Sequence, residues 1–306
     1  MWRRNSLPKL IARMERDGSS ASEEAALILA RTDAGIDALV AATRHPEGYV
    51  RSTAAFALGG CNRPDVVAAL RDLLLTDNVP FILETACNSL GAIGAPAAPA
   101  IEALVSLLKK GPTRPSAAAA LALGNIGPAA VAIPALMDVL RRSEHKPERP
   151  LDVTYAVDAL WKLRARDPAL PSMLVNLLTT GENALTFEYS AIQLLGLNSA
   201  SAEEAEPLLR GYLEDENMKC AAAAALARIS RDAEQEMVAF LIAQLEHGGD
   251  DDPRLFVAEH LASLGAIAAP AIPCLRGLRG SKDEEDAAAS AVKAIEAALA
   301  EQSAKG

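Results

Sequence analysis

The stretch RPSAAAALALGNIGPAAVAIPALMDVL, Arg114–Leu140, decides how the chain folds. Its first half is a run of alanines and leucines, a helix whose small side chains let a neighbouring helix come close. Asn125 to Pro128 supply the Gly/Pro turn. Its second half places Ile133, Leu136, Met137 and Leu140 on one stripe of a second helix.

Variants of this helix–turn–helix recur along the chain. Each first helix closes on an apolar anchor: Leu29, Leu58, Leu90, Leu123, Leu163, Leu195, Ile229, Leu264 and Ile295. Most spacings lie in the low thirties, the period of a two-helix repeat joined by short turns. Three segments of the units before and after the opening stretch show the match. ILETACNSLGAIGAPAAPAIEALVSLL spans Ile82–Leu108, MKCAAAAALARI spans Met218–Ile229, and RLFVAEHLASLGAIAAPAIPCLRGL spans Arg254–Leu278. Pro96, Pro99, Pro128 and Pro134 fall in turns or the first turn of the next helix, where a missing N–H costs little. Half of the residues are apolar and only 4% aromatic, so the core is built from Ala, Leu, Val and Ile. The expected class is all-α: a right-handed α-solenoid of about eight two-helix repeats in one continuous domain.

The expected bounds follow. Residues 1–20 form an N-terminal capping helix opened by Ser6-Leu7-Pro8, with Leu7, Leu10, Ile11 and Met14 at helical spacing. Its basic residues (Arg3, Arg4, Lys9, Arg13, Arg16) also allow a membrane-surface reading, but four apolar residues bury little area. Repeats fill 21–282, and 283–302 cap the far end. The interval of 40 between Leu123 and Leu163 marks an inserted loop, RRSEHKPERP, at 141–150. Such a loop is either a solvated connector or part of a binding surface.

Specific residues carry a family resemblance. EGYVRSTAAFALGG, Glu47–Gly60, has an acidic residue, then Val-Arg, then Ala-Ala and Ala-Leu-Gly. It resembles the HEAT-repeat family, particularly its short bacterial form, with Gly59 ending the helix where a positive φ is needed. Repeat five departs from the pattern, with Trp161 in the helix and Arg164 where glycine usually sits.

Resemblance to enzymes built on such repeats was tested residue by residue. A deoxyhypusine hydroxylase needs several His-Glu dipeptides; here Glu144-His145, Glu246-His247 and Glu259-His260 run in the opposite order. An alkylpurine glycosylase needs a basic groove with aromatics. Tyr155, Trp161 and the basic 141–150 loop offer some of that, although Trp161 equally suits a space-filling core position. The repeats are also similar to those of phycobilin lyases; that resemblance makes a chromophore-handling protein the alternative expectation, although no lyase catalytic motif matches. No phosphate loop or dinucleotide fingerprint is present. Four scattered cysteines suit reduced thiols, Cys61 beside Gly60 being the best candidate for an exposed one. Neither a secretory h-region nor an apolar uncharged run of transmembrane length stands out, so a cytoplasmic, membrane-free protein is expected.

Charge shapes the expected partner. Residues Glu182–Glu301 hold 22 acidic and 9 basic side chains within a net charge of −10. That excess disfavours nucleic acid, whose binding needs phosphate neutralisation. The expected role is a non-catalytic scaffold, without cofactor or metal, that takes a protein or peptide partner with basic segments. Its surface is the concave second-helix ridge of the resembling family. Read in register, the residue after each central leucine gives Arg71, Val105, Met137, Val175, Arg210, Ile242 and Arg276. Candidate partner-binding residues are Arg71, Asp138, Arg141, Arg142, Tyr155, Trp161, Asn176, Arg210, Glu214 and Arg276. The competing reading of each is a solvated helix face.

Overall fold

A computed structural model describes residues 6–16, 19–127, 130–143, 150–180, 187–247 and 254–305. Every regular element among them is helical. The chain divides into two compact units, Met1–Ala165 and Arg166–Gly306, and the boundary falls inside repeat five, between its two helices.

In the first unit α1 (Leu7–Met14) buries Leu10 and Met14 against α2 (Ser20–Leu29). Four more pairs or part-pairs follow: α3 (Asp33–Ala42), α4 (Gly48–Leu58), α5 (Pro64–Thr76), α6 (Pro80–Ile93), α7 (Ile101–Lys110), α8 (Thr113–Ile126), α9 (Ala132–Ser143) and α10 (Pro150–Lys162). First helices stack on first helices, α2 on α4, then α6, α8 and α10; second helices stack as α3, α5, α7 and α9. This two-layer ladder is the solenoid pattern, in which each repeat buries its apolar faces only against its neighbours.

Small residues set the spacing of the first-helix layer. α8 buries Ala117 to Ala120 and Ala122 together with Leu123. A Cβ added at Gly91 would lie 3.1 Å from Ala122 Cα, and one at Gly124 only 2.8 Å from Ala159 Cα. Gly59 follows the same rule rather than the one read from sequence. Its φ is −61°, so no left-handed turn requires it, but its added Cβ would sit 3.1 Å from Ser89 Cα. The left-handed conformation falls instead on Gly94 and Gly127, after the helix ends, and on Arg164 at φ 51°.

The second unit contains α11 (Leu170–Thr180), α12 (Glu188–Leu197), α13 (Glu206–Gly211), α14 (Lys219–Ile229), α15 (Glu234–His247), α16 (Arg254–Leu264), α17 (Ile272–Gly277) and α18 (Lys282–Lys305). Here α12, α14, α16 and α18 form the first-helix layer. The far-end helix is longer than its sequence bounds. By length and composition Arg254–Gly277 is apolar enough to cross a membrane, although Glu259 and Arg276 leave it no uncharged run of that length. It is built as α16, a 3-10 segment at Gly265–Ala271, and α17, packed on α15 and α18.

The inserted loop is shorter than read. Arg141–Ser143 complete α9 and Pro150 opens α10, while 144–149, with Glu144, His145, Lys146 and Arg149, lie outside the described residues, as do Arg3, Arg4 and Pro128.

Candidate partner-binding surface

The second helices of the first unit share a register set by buried Leu39, Leu70, Leu104 and Leu136. The next residue in each was read as surface. Val105 and Met137 are instead buried at 7% and 1% exposure, because this side of the helix faces the adjacent second helix. Arg71 is half-buried there and pairs with Asp72 at 3.0 Å. The open side lies further along each helix. Two residues past the leucine stand Asp72 and Asp138; five and six past it stand Arg44, Leu75, Lys109, Lys110, Arg141 and Arg142.

Much of this charge is already engaged. Arg44 reaches Asp72 at 3.4 Å and Arg141 reaches Asp138 at 2.7 Å. Arg142 donates through Nε to the Asp138 carbonyl (3.1 Å) and through Nη1 to the Lys109 carbonyl (3.3 Å), closing the C-terminal end of α7. Asp138, Arg141 and Arg142 are thus brought together. Lysines and arginines here complement the negative ends of the helix dipoles. Tyr155 and Trp161 lie on α10, both half-buried, and six residues of helix leave them about 120° apart around the axis and about 9 Å apart along it, so they do not form one aromatic site.

The corresponding positions on the second unit's own second helices carry the opposite charge. Five and six residues past Leu209 stand exposed Glu214 and Asp215, and five past Leu241 stands Glu246. Arg210 is held by Glu206 (3.0 Å) and lies 3.8 Å from Glu236. Arg276 pairs with Glu296, and Asn176 is exposed on α11. Tyr212 Oη donates to the buried Glu188 Oε1 at 2.9 Å. Burial and that carboxylate push the Tyr212 hydroxyl pKa well up.

Groups suited to chemistry are occupied structurally. His260 is buried on α16, its Nδ1 3.3 Å from Gln193 Nε2 and its ring 6.1 Å from that of Tyr189. Burial, helped by Arg228, lowers its pKa to about 4. Cys61 is not the exposed thiol read from its turn position. It is buried, with Sγ 3.8 Å from the Ala30 carbonyl, and burial raises its pKa. Among the described residues no group of His, Cys, Asp or Glu is placed to hold a metal ion.

Sequence reasoning missed the exposed rings of the first helices, Phe56 at 54% and Phe81 at 66%. A signal existed: Phe56 stands two residues before its anchor, as do Leu27 (also exposed) and Trp161.

The family model described as HEAT repeats matches residues 36–115, from within α3 to within α8. That segment is therefore similar to HEAT repeats in sequence. The Val-Arg, Ala-Ala and Ala-Leu-Gly positions of Glu47–Gly60 lie inside it. Yeast importin-beta (Kap95p) is similar over 94% of this chain and 45% of its own, with TM-score 0.62 and 14% identity. The chain therefore spans under half of that protein's length, and the likeness is one of fold, a helical solenoid. An engineered protein is similar over 95% of this chain and 98% of its own (21% identity, TM-score 0.45). The CpcE–CpcF complex of phycocyanin lyase from a Nostoc species is similar over 95% and 94% (20% identity, TM-score 0.32). No curated protein matches the sequence.

Proposed function

We propose that this chain is a non-catalytic HEAT-repeat scaffold that binds a protein or peptide partner along its second-helix surface, with basic segments of the partner set against the second unit. The observation that carries the reading is the charge at the ends of the second helices, taken unit by unit. It is basic at Lys109, Lys110, Arg141 and Arg142, and acidic at Glu214, Asp215 and Glu246. Patterned charge of this kind selects and orients a partner more than it adds raw affinity. A non-catalytic role is supported by His260 and Cys61, whose reactive atoms are turned into the core.

Site-specific photo-crosslinking tests the reading. A crosslinker placed at Ser106, Asp138 or Glu214 on second helices captures the partner, and one at Phe56 or Phe81 on first helices does not. Capture from the first-helix positions alone would reverse the assignment and make the exposed rings the docking face.

A further inference from the structure

The second-helix row of the second unit contains a hollow that narrows the kind of partner. It measures about 390 Å³ and is lined by Leu208, Gly211, Tyr212, Glu214 and Asp215. The wall is apolar: the half-buried Leu208, the bare backbone of Gly211 and the ring of Tyr212, which is held in place by its bond to Glu188. The rim is acidic.

Gly211 has no structural reason to be glycine. Its φ and ψ are −62° and −35°, ordinary helix, and a Cβ there would meet nothing within 4 Å. Glycine inside a helix costs about 1 kcal/mol relative to alanine. At this position it leaves the hollow open. Glu214 is equally at odds with local stability, since it ends a helical segment whose terminal carbonyls already carry negative charge. The nearby cations do not offset it, Arg210 being held by Glu206 and Lys219 by Glu216.

Resting on the scaffold reading above, we infer that this hollow is a docking site for a lysine or arginine side chain on an extended basic segment of another protein. The aliphatic stem lies along Leu208 and Tyr212 while the charged head reaches Glu214, with Asp215 adding charge beside it although its Oδ1 already accepts from the Asn217 and Met218 amides (2.8 and 3.1 Å); long basic side chains satisfy both halves of their chemistry in this way. The acidic excess of Glu182–Glu301 draws such a segment in from a distance. A second hollow of about 370 Å³ in the same unit has Arg276 and Arg279 among its lining. With Glu285 as its one lining carboxylate against two arginines, it serves as an internal control without an acidic rim.

The test is an NMR titration of the full chain with a short synthetic peptide of alternating arginine and leucine. A second peptide of equal charge has glycine for leucine. Amide shifts concentrate on Leu208–Asp215, spare the lining of the second hollow, and are about tenfold weaker in affinity for the glycine peptide. Gly211→Leu places its Cβ in open space and its branched end in the hollow, and Glu214→Lys cancels the charge of the rim. Each weakens binding by about tenfold or more while the melting curve stays level or moves upward, as the gain in helix propensity and the lost charge at the helix end require. Shifts spread evenly over the acidic side chains, equal binding of both peptides, or binding indifferent to Gly211→Leu would each overturn the site. None of these touches the scaffold reading, which stands or falls by the second-helix crosslinks.

Discussion

The Arg51 guanidinium grips the Asp77 carboxylate at the end of the second helix of its own repeat, Nε to Oδ2 at 2.7 Å and Nη2 to Oδ1 at 3.4 Å. The side chains are 18% and 4% exposed. Arg51 Nη1 also donates to the carbonyls of His45 and Pro46, while Asp77 Oδ1 accepts from the Val79 amide. One pair thereby fastens the turn before α4 to the turn after α5. Burial alone would raise the Asp77 pKa, but the Arg51 bond and the backbone amides outweigh it and hold the carboxyl below its usual range. Removing one member strands a buried charge, so Asp77→Ala loses about 3 kcal/mol in urea denaturation of the first unit, followed by Trp161 fluorescence. The double variant Arg51→Leu/Asp77→Leu recovers much of that loss; a double variant no better than the single one refutes the pairing argument.

Gly124 and Gly60 make a controlled comparison. Alanine is the better helix former by about 1 kcal/mol, so propensity alone favours Gly124→Ala. Sterics oppose it, because the new Cβ would stand 2.8 Å from Ala159 Cα and 3.0 Å from Ala159 Cβ, forcing α8 and α10 apart. Overpacking wins, and the variant is destabilised by about 1–3 kcal/mol. Gly60→Ala meets nothing within 4 Å. It is neutral or gains up to about 1 kcal/mol from the stiffer unfolded chain. Equal effects of the two substitutions would remove close packing as the reason for Gly124.

These two glycines also show where the sequence was legible and where it was not. Repeat period and helix order could be read because Leu58, Leu90 and Leu123 recur at the ends of first helices, a one-dimensional signal. The reason for Gly59 could not. Its partner is Ser89 on the next repeat, and glycine for a positive φ looks identical in sequence to glycine for a close approach. The candidate surface suffered similarly. Arg71, Val105 and Met137 lie on one stripe, but only contact with adjacent second helices shows that this stripe is largely buried. The charge inversion between Lys109–Lys110 and Glu214–Asp215 was visible as composition, whereas its place at the helix ends required the ladder.

Arg164 occupies the left-handed conformation, at φ 51°, the one non-glycine residue to do so among the described residues. The bonds around it (Ala165 N to Leu160 O and Arg164 N to Trp161 O, both 2.9 Å) are those of a helix end that glycine ordinarily terminates. An L-residue pays about 1 kcal/mol or more there. Arg164→Gly therefore stabilises the first unit by about 0.5–1 kcal/mol, after the entropy that glycine adds to the unfolded chain. Arg164→Ala, which keeps the Cβ, does not. A loss of stability in the glycine variant would mean that the arginine head, not the backbone, holds this turn.

His260 makes the second unit sensitive to acid in a defined window. Its ordinary pKa is 6.5 and burial lowers it to about 4 in the folded chain, so the folded state binds fewer protons than the unfolded one between these values. Stability is then full above pH 6.5, falls as pH drops toward 4, and levels off below, a loss of about 3 kcal/mol in all. The carboxylates held low by their partners, Asp65, Asp77 and Glu284, act in the other range. Their contribution is intact above the ordinary carboxylate pKa and is lost only as pH falls through their lowered values. Gln193 and the Tyr189 ring face the imidazole and offer it no negative charge, while Arg228 opposes its protonation. Hydrogen exchange of α12 and α16 between pH 7 and 4 reads the effect within that unit. Protection falls in the wild type and stays level in His260→Gln once intrinsic exchange rates are divided out. A slope unchanged by the substitution would assign the acid response to some other group.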